Sequence, residues 1–127
     1  MKKVIATKQA PAAIGPYSQG IEASGRMIFV SGQIPINPAT GNIEAETIEE
    51  QTRQSLTNIQ HILEAAGAGM SDVVKTTVLL ADIADFAAMN GVYAEFFKGD
   101  CPARAAFQVA AIPKGARVEI EAIAVVD

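Results

Sequence analysis

From residue 27 to residue 33 the chain alternates around β-branched and aromatic side chains, the period-two pattern of a half-buried strand, with Phe29, Ser31 and Gln33 on one face. The period then changes. Ile48, Leu56, Ile59, Ile62, Leu63 and Ala66 recur at helical spacing. Thr47, with Glu50 three residues later, has the pattern of a capping box, and Gly67 sits where a left-handed C-cap residue belongs. Residues 73–81 are apolar and β-branched and predict a well-buried strand. Asp82 reads as the cap of a second helix with Phe86, Met89, Tyr93, Phe96 and Phe97 on one stripe, stopped at Gly99. Residues 103–110 and 116–126 predict two more strands. In the last, Glu119, Glu121, Ile123 and Val125 share one face, and Val118, Ile120, Ala122, Ala124 and Val126 share the other.

The order is therefore two or three strands, helix, strand, helix, two strands. Residues 10–20, with two Pro and two Gly, read as an ordered loop, and 35–42 as a turn-rich connection. No repeat, low-complexity tract or linker interrupts residues 1–127, which predicts one domain. Two helices cover one face of a five- or six-stranded sheet, giving an α+β fold. The other face then meets water or another subunit. Ile123 and Val125 lie on it beside the two glutamates, which predicts oligomerisation through that face.

Composition sharpens this picture. Half of the 127 residues are hydrophobic and only 19% are charged, against roughly 25% charged in an average soluble protein. Such a surface is short of polar cover, which again favours subunit contacts. The net charge of −4, with no basic run longer than Lys2-Lys3, gives nucleic acid or an anionic membrane little to grip. No apolar stretch approaches the ~20 residues of a membrane span, and the start of the chain lacks a signal-peptide core. The single cysteine, Cys101, has no internal partner for a disulfide, so a cytoplasmic protein is expected.

Few residues carry obvious chemistry. His61, the only histidine, lies between apolar helix positions and reads as a solvent-side helix residue; it has no cysteine nearby for a zinc site and no nucleophile motif. Cys101 is either an unreactive loop thiol or a nucleophile activated by a neighbour such as Arg104. The GAG at 67–69 ends a helix rather than opening one, the wrong end for a phosphate. Arg104 is more informative, because it opens an otherwise apolar strand, where a guanidinium is costly unless partnered. It either pairs internally with Glu119 or Glu121, or binds a small carboxylate ligand through its fork. Glu119 and Glu121 stand about 7 Å apart on one face. Either one of them pairs with Arg104 or Arg117 while the other meets solvent, or one is a general base beside a carboxylate-binding arginine.

Taken together, IGPYSQG at 14–20, SGQIP at 31–35, AAG at 65–67, VVKTTV at 73–78, MNGVYAEFF at 89–97, CPAR at 101–104 and EIEAIAV at 119–125 resemble the signature segments of the RidA family, the reactive intermediate deaminases also called the YjgF family. The resemblance runs the length of the chain. It implies a chorismate-mutase-like α+β fold, a mixed sheet backed by two helices on one face, and a homotrimer with a cleft at each subunit interface. It implies hydrolysis of 2-imino acids such as 2-iminobutanoate and 2-iminopropanoate, or their enamine tautomers, to 2-keto acids and ammonia, with no metal and no cofactor. It assigns Arg104 to the substrate carboxylate and Glu119 to the attacking water. Tyr17, Ser31, Gly32 and Asn90 are assigned to the cleft. Many members carry Cys two residues after that arginine; here the position is Ala106. The alternative function is a non-catalytic sensor of 2-keto acids or amino acids built on the same cleft. RNA cleavage, also attached to this family, is disfavoured by the negative charge.

Overall fold

The computed structural model describes all 127 residues. Six strands and two α-helices follow one another as β1 (Lys2–Ile5), β2 (Gly20–Ala23), β3 (Arg26–Gln33), α1 (Ile48–Ala65), β4 (Val73–Leu80), α2 (Phe86–Phe96), β5 (Ala103–Gln108) and β6 (Val118–Val126). The predicted five- or six-stranded sheet is two sheets. β3, β6, β4 and β5 form a mixed sheet in that order, and β1 pairs antiparallel with β2 in a separate two-stranded ribbon. β6 runs antiparallel to both its neighbours, whereas β4 and β5 are parallel. The β3–α1–β4 and β4–α2–β5 connections cross the sheet in the same direction, so right-handed crossovers put both helices on one face.

The boundaries of α1 are set by local chemistry. The Thr47 hydroxyl accepts from the Glu50 amide at 3.1 Å, a cap worth about 1 kcal/mol. At the other end the Ala68 amide reaches the Leu63 carbonyl and the Gly67 amide the Glu64 carbonyl, with Gly67 at φ +77°. This is a Schellman closure, which needs a left-handed residue there. Asp82 caps something shorter than predicted. Its carboxylate accepts from the Ala84 amide and opens a single 3-10 turn, and α2 begins only at Phe86.

Leu56, Ile59 and Leu63 of α1 and Met89 and Tyr93 of α2 pack on Val78, Leu80, Val118, Ile120 and Ala122 of the sheet. The alternation expected in β6 is present, with Val118, Ile120, Ala122 and Ala124 buried and Glu119, Glu121 and Ile123 on the opposite side. That opposite side carries no helix. Met27 is 55% exposed and Phe29 68% exposed on it, a large apolar surface for an isolated chain.

The alternation predicted for β3 fails after Val30. Val30 pairs with Ala122, but Gln33 pairs with Ile120 rather than with Glu119. One extra residue in Ser31-Gly32 makes a β-bulge, which reverses the facing of everything beyond it. Phe29, beside Ile123, lies on the open face, and Gln33, beside Ile120, belongs to the helix side. The three residues predicted to share a face are split by the bulge.

Candidate active site

Two clusters of polar groups stand on opposite faces of the mixed sheet. The first is centred on Arg104 of β5. Arg104 is in register with Thr76 of β4, and Thr76 with Ala122 of β6, all on the helix side. Phe86, Asn90 and Tyr93, one stripe of α2 at i, i+4 and i+7, converge on the guanidinium from above. Asn90 Oδ1 accepts from Arg104 Nη1 at 2.7 Å. The rings of Tyr93, Phe86 and Tyr17 have their centroids 4.8, 5.5 and 5.5 Å from Arg104 Cζ. Burial lowers the Arg104 pKa, yet a guanidinium remains charged at any physiological pH.

Tyr17 reaches this cluster because its loop is tied down. The Ser18 amide donates to the Pro102 carbonyl and its hydroxyl to the Cys101 carbonyl, and Ser18 bridges to Ala103 alongside β5. The Gln19 amide nitrogen donates to the carbonyls of Thr7, Ala10 and Pro11, while its oxygen accepts from the Thr7 amide. Lys2 Nζ, bonded to the carbonyls of Ser71, Val73 and Asp100, fixes the β1–β2 ribbon to the same end of the molecule. The ordered loop expected at 10–20 is thus held by side-chain to backbone bonds.

Of the two readings of Arg104, the internal ion pair with Glu119 or Glu121 does not form. No carboxylate pairs with it. β4 lies between β5 and β6, so neither Glu119 nor Glu121 is on the next strand. Arg117 pairs instead with Asp85 at 3.0 Å. Glu119 is in register with Leu79, three residues along β4 from Thr76 and on the open face. Two strand spacings and three residue rises put the backbones of Arg104 and Glu119 roughly 14 Å apart, with their side chains on opposite faces of the sheet.

The second cluster is built on the bulge. Gly32, Leu79, Glu119 and Glu121 line a small hollow of about 100 Å³. The Glu119 carboxylate lies directly against Gly32, where a Cβ would overlap Oε2 and fall 3.0 Å from Cδ. Ser31 is exposed beside it. Gly32 also borders a larger cavity of about 470 Å³ between the chain after β3 and α1, reaching Asn58 and His61.

Of the residues singled out from sequence, Arg104, Asn90 and Tyr17 meet on one side of the sheet, and Glu119, Ser31 and Gly32 on the other. Ala106 follows Arg104 on the helix side, in register with Val78 and packed on the core. His61 is exposed, as expected. The Cys101 thiol points to the carbonyls of Phe97 and Gly99. The apolar stripe by itself marks Phe86 and Tyr93 as core. The signal that betrays them is Asn90, a polar residue three and four positions from two aromatics on one stripe. No group of three or more His, Cys, Asp or Glu side chains is placed to hold a metal, and no helix is long and apolar enough to cross a membrane.

Known proteins resemble this chain in sequence and fold over nearly its whole length. A 2-iminobutanoate/2-iminopropanoate deaminase of Bos taurus is 55% identical over 98% of this chain and 90% of its own. The E. coli YjgF gene product, 50% identical, superimposes with a TM-score of 0.76 over 98% of this chain and 99% of its own. E. coli TdcF, solved with bound serine, is 46% identical with a TM-score of 0.76 over the same shares. Residues 7–126 match the family model described as endoribonuclease L-PSP, and the chain belongs to that family, known also as the YjgF or RidA family.

Proposed function

We propose that this protein hydrolyses 2-imino acids, such as 2-iminobutanoate and 2-iminopropanoate, to 2-keto acids and ammonia, in clefts completed between copies of the chain in a cytoplasmic homotrimer. The observation that carries the reading is Arg104: a half-buried guanidinium with no anionic partner, held by one amide oxygen and three rings. A buried cation without a counter-charge is a binding site for one, and a planar fork suits a carboxylate bidentately.

The chemistry asks little beyond orientation. A protonated imine carbon is already electrophilic, so water suffices as nucleophile. With the carboxylate on Arg104, the imine carbon is fixed relative to the cleft wall, and this positioning is the largest contribution. Glu119 accepts a proton as water adds to the imine carbon and returns it to nitrogen as the tetrahedral adduct collapses. The carbon–nitrogen bond breaks as the adduct's hydroxyl proton passes through Glu119 to the departing nitrogen, so that ammonium leaves and the 2-keto acid remains. General base assistance of this kind is worth roughly 10²–10⁴ in rate. No thiol is required at position 106, where the chain has Ala106.

Within one chain Arg104 and Glu119 face apart, so the reaction needs Arg104 of one copy and Glu119 of another. The uncovered sheet face, with Met27 and Phe29, is the surface that would bring them together. The same separation favours one second reading: the Arg104 cluster is complete without Glu119 and would serve a non-catalytic binder of keto or amino acids. RNA is a poor ligand, since Arg53 and Arg117 are paired with carboxylates and Lys2 with carbonyls. Ammonia release from freshly generated 2-iminopropanoate and 2-iminobutanoate tests the assignment. Turnover well above the uncatalysed rate is expected; 2-keto acid binding without turnover would establish the binder instead.

A further inference from the structure

We propose that Tyr93, pinned by Thr76, is the positioning residue that orients the Arg104 guanidinium toward its carboxylate ligand. This rests on the hydrolase reading and goes one layer beneath it. Tyr93 and Thr76 are fully buried, and their hydroxyls share a 2.7 Å hydrogen bond. Thr76 is in direct register with Arg104, so one backbone rung carries both the group that anchors the ring and the group that the ring supports. The Tyr93 ring is the nearest of the three around Arg104, 4.8 Å from Cζ, and packs against Phe97 at a centroid distance of 4.6 Å.

Each part has a defined task. The ring offers a π-face to the cation without neutralising it, unlike a carboxylate, which would occupy the fork the ligand needs. Asn90 takes one N–H of Nη1 and limits rotation of the fork. The Thr76 bond holds the ring in one setting, and its burial makes that bond the hydroxyl's only outlet. Burial also pushes the Tyr93 phenol up to about 12, so it remains neutral and supplies no proton to the reaction. Tyr93 acts through Arg104 and touches no substrate.

The test measures 2-oxobutanoate affinity, KM, kcat and melting temperature on the intact protein. Replacing the ring in Tyr93→Leu is expected to weaken 2-oxobutanoate binding and to raise KM about tenfold, with kcat changed much less. Tyr93→Phe, which keeps the ring, recovers most of the lost affinity even where its melting temperature falls. A folded Tyr93→Leu protein that binds 2-oxobutanoate like the wild type overturns the proposal. Should Tyr93→Leu not fold, the wild type decides by NMR of ¹⁵N-arginine-labelled protein. Separate, ring-shifted Arg104 side-chain N–H signals are expected, and averaged signals like those of exposed arginines overturn it. A wild type that neither binds 2-oxobutanoate nor releases ammonia defeats the hydrolase reading itself, a result distinct from loss of the Tyr93 role alone.

Discussion

The Glu119 carboxylate occupies the space that a side chain on Gly32 would fill. The bulge brings the β3 backbone against β6 at this point, and the missing Cβ leaves room for the acid. Gly32→Ala is therefore expected to displace Glu119 and to lower kcat at least tenfold, with 2-oxobutanoate binding by Arg104 largely intact. Comparison of kcat and keto acid affinity in this variant checks it.

Arg104→Ala should abolish imine hydrolysis and keto acid binding together. Arg104→Lys should recover little of either, because an ammonium lacks the planar fork. Ammonia release and calorimetric titration with 2-oxobutanoate read both; turnover near wild type in Arg104→Ala would remove the carboxylate clamp.

Glu119 and Glu121 lie on the same face of β6, two residues apart. Glu119→Gln should lower turnover by roughly 10²-fold or more while keto acid affinity holds, since the base is lost and the clamp is not. Glu121→Gln should change turnover little. Equal losses in both variants would point to a shared electrostatic role in place of one base.

Assembly has its own signature. Phe29, mostly exposed and in register with Ile123, stands on the uncovered face. Sedimentation equilibrium should give a mass near three chains for the wild type, and Phe29→Glu should release monomers, because a buried charge there has no partner. Turnover should fall with the trimer fraction while each monomer keeps its Arg104 cluster.

Tyr93 makes stability depend on alkaline pH. In the unfolded chain a tyrosine ionises near 10, whereas in the fold Tyr93 keeps its proton to about 12. Between these values the unfolded state has lost the proton and the folded state has not. The stabilisation present below pH 10 is then lost as pH rises toward 12, by about 1.4 kcal/mol per pH unit. Tyr93→Phe should show a shallower decline across this window in denaturant titrations. At neutral pH it should be about 1 kcal/mol less stable, since Thr76 loses its partner.

The sequence is explicit where structure is set locally. Thr47 bounds α1 through its hydroxyl and Gly67 through its backbone amide, and the hydrophobic period names the buried faces of α1 and β6. It is silent where distant segments decide. The Ser31-Gly32 bulge looks like continued alternation until β6 is laid beside it. The order β3-β6-β4-β5 separates β5 from the strand that follows it, and so removes the ion pair that adjacency in sequence suggests for Arg104. Asp82 looks like a helix cap because a 3-10 turn begins with the same chemistry. Tyr93 reads as core by pattern, since it is core; its hydroxyl bond to Thr76, the register partner of Arg104, reveals a second use.

The two faces of the sheet also bear on inheritance. If each cleft takes Arg104 from one chain and Glu119 from its neighbour, a chain lacking one residue is still a competent donor of the other. Two inactive alleles, Arg104→Ala and Glu119→Gln, would then complement when co-expressed. In randomly mixed trimers roughly a quarter of the clefts would draw both intact residues, one from each kind of chain. An enzyme whose half-sites shared one face would show no such rescue.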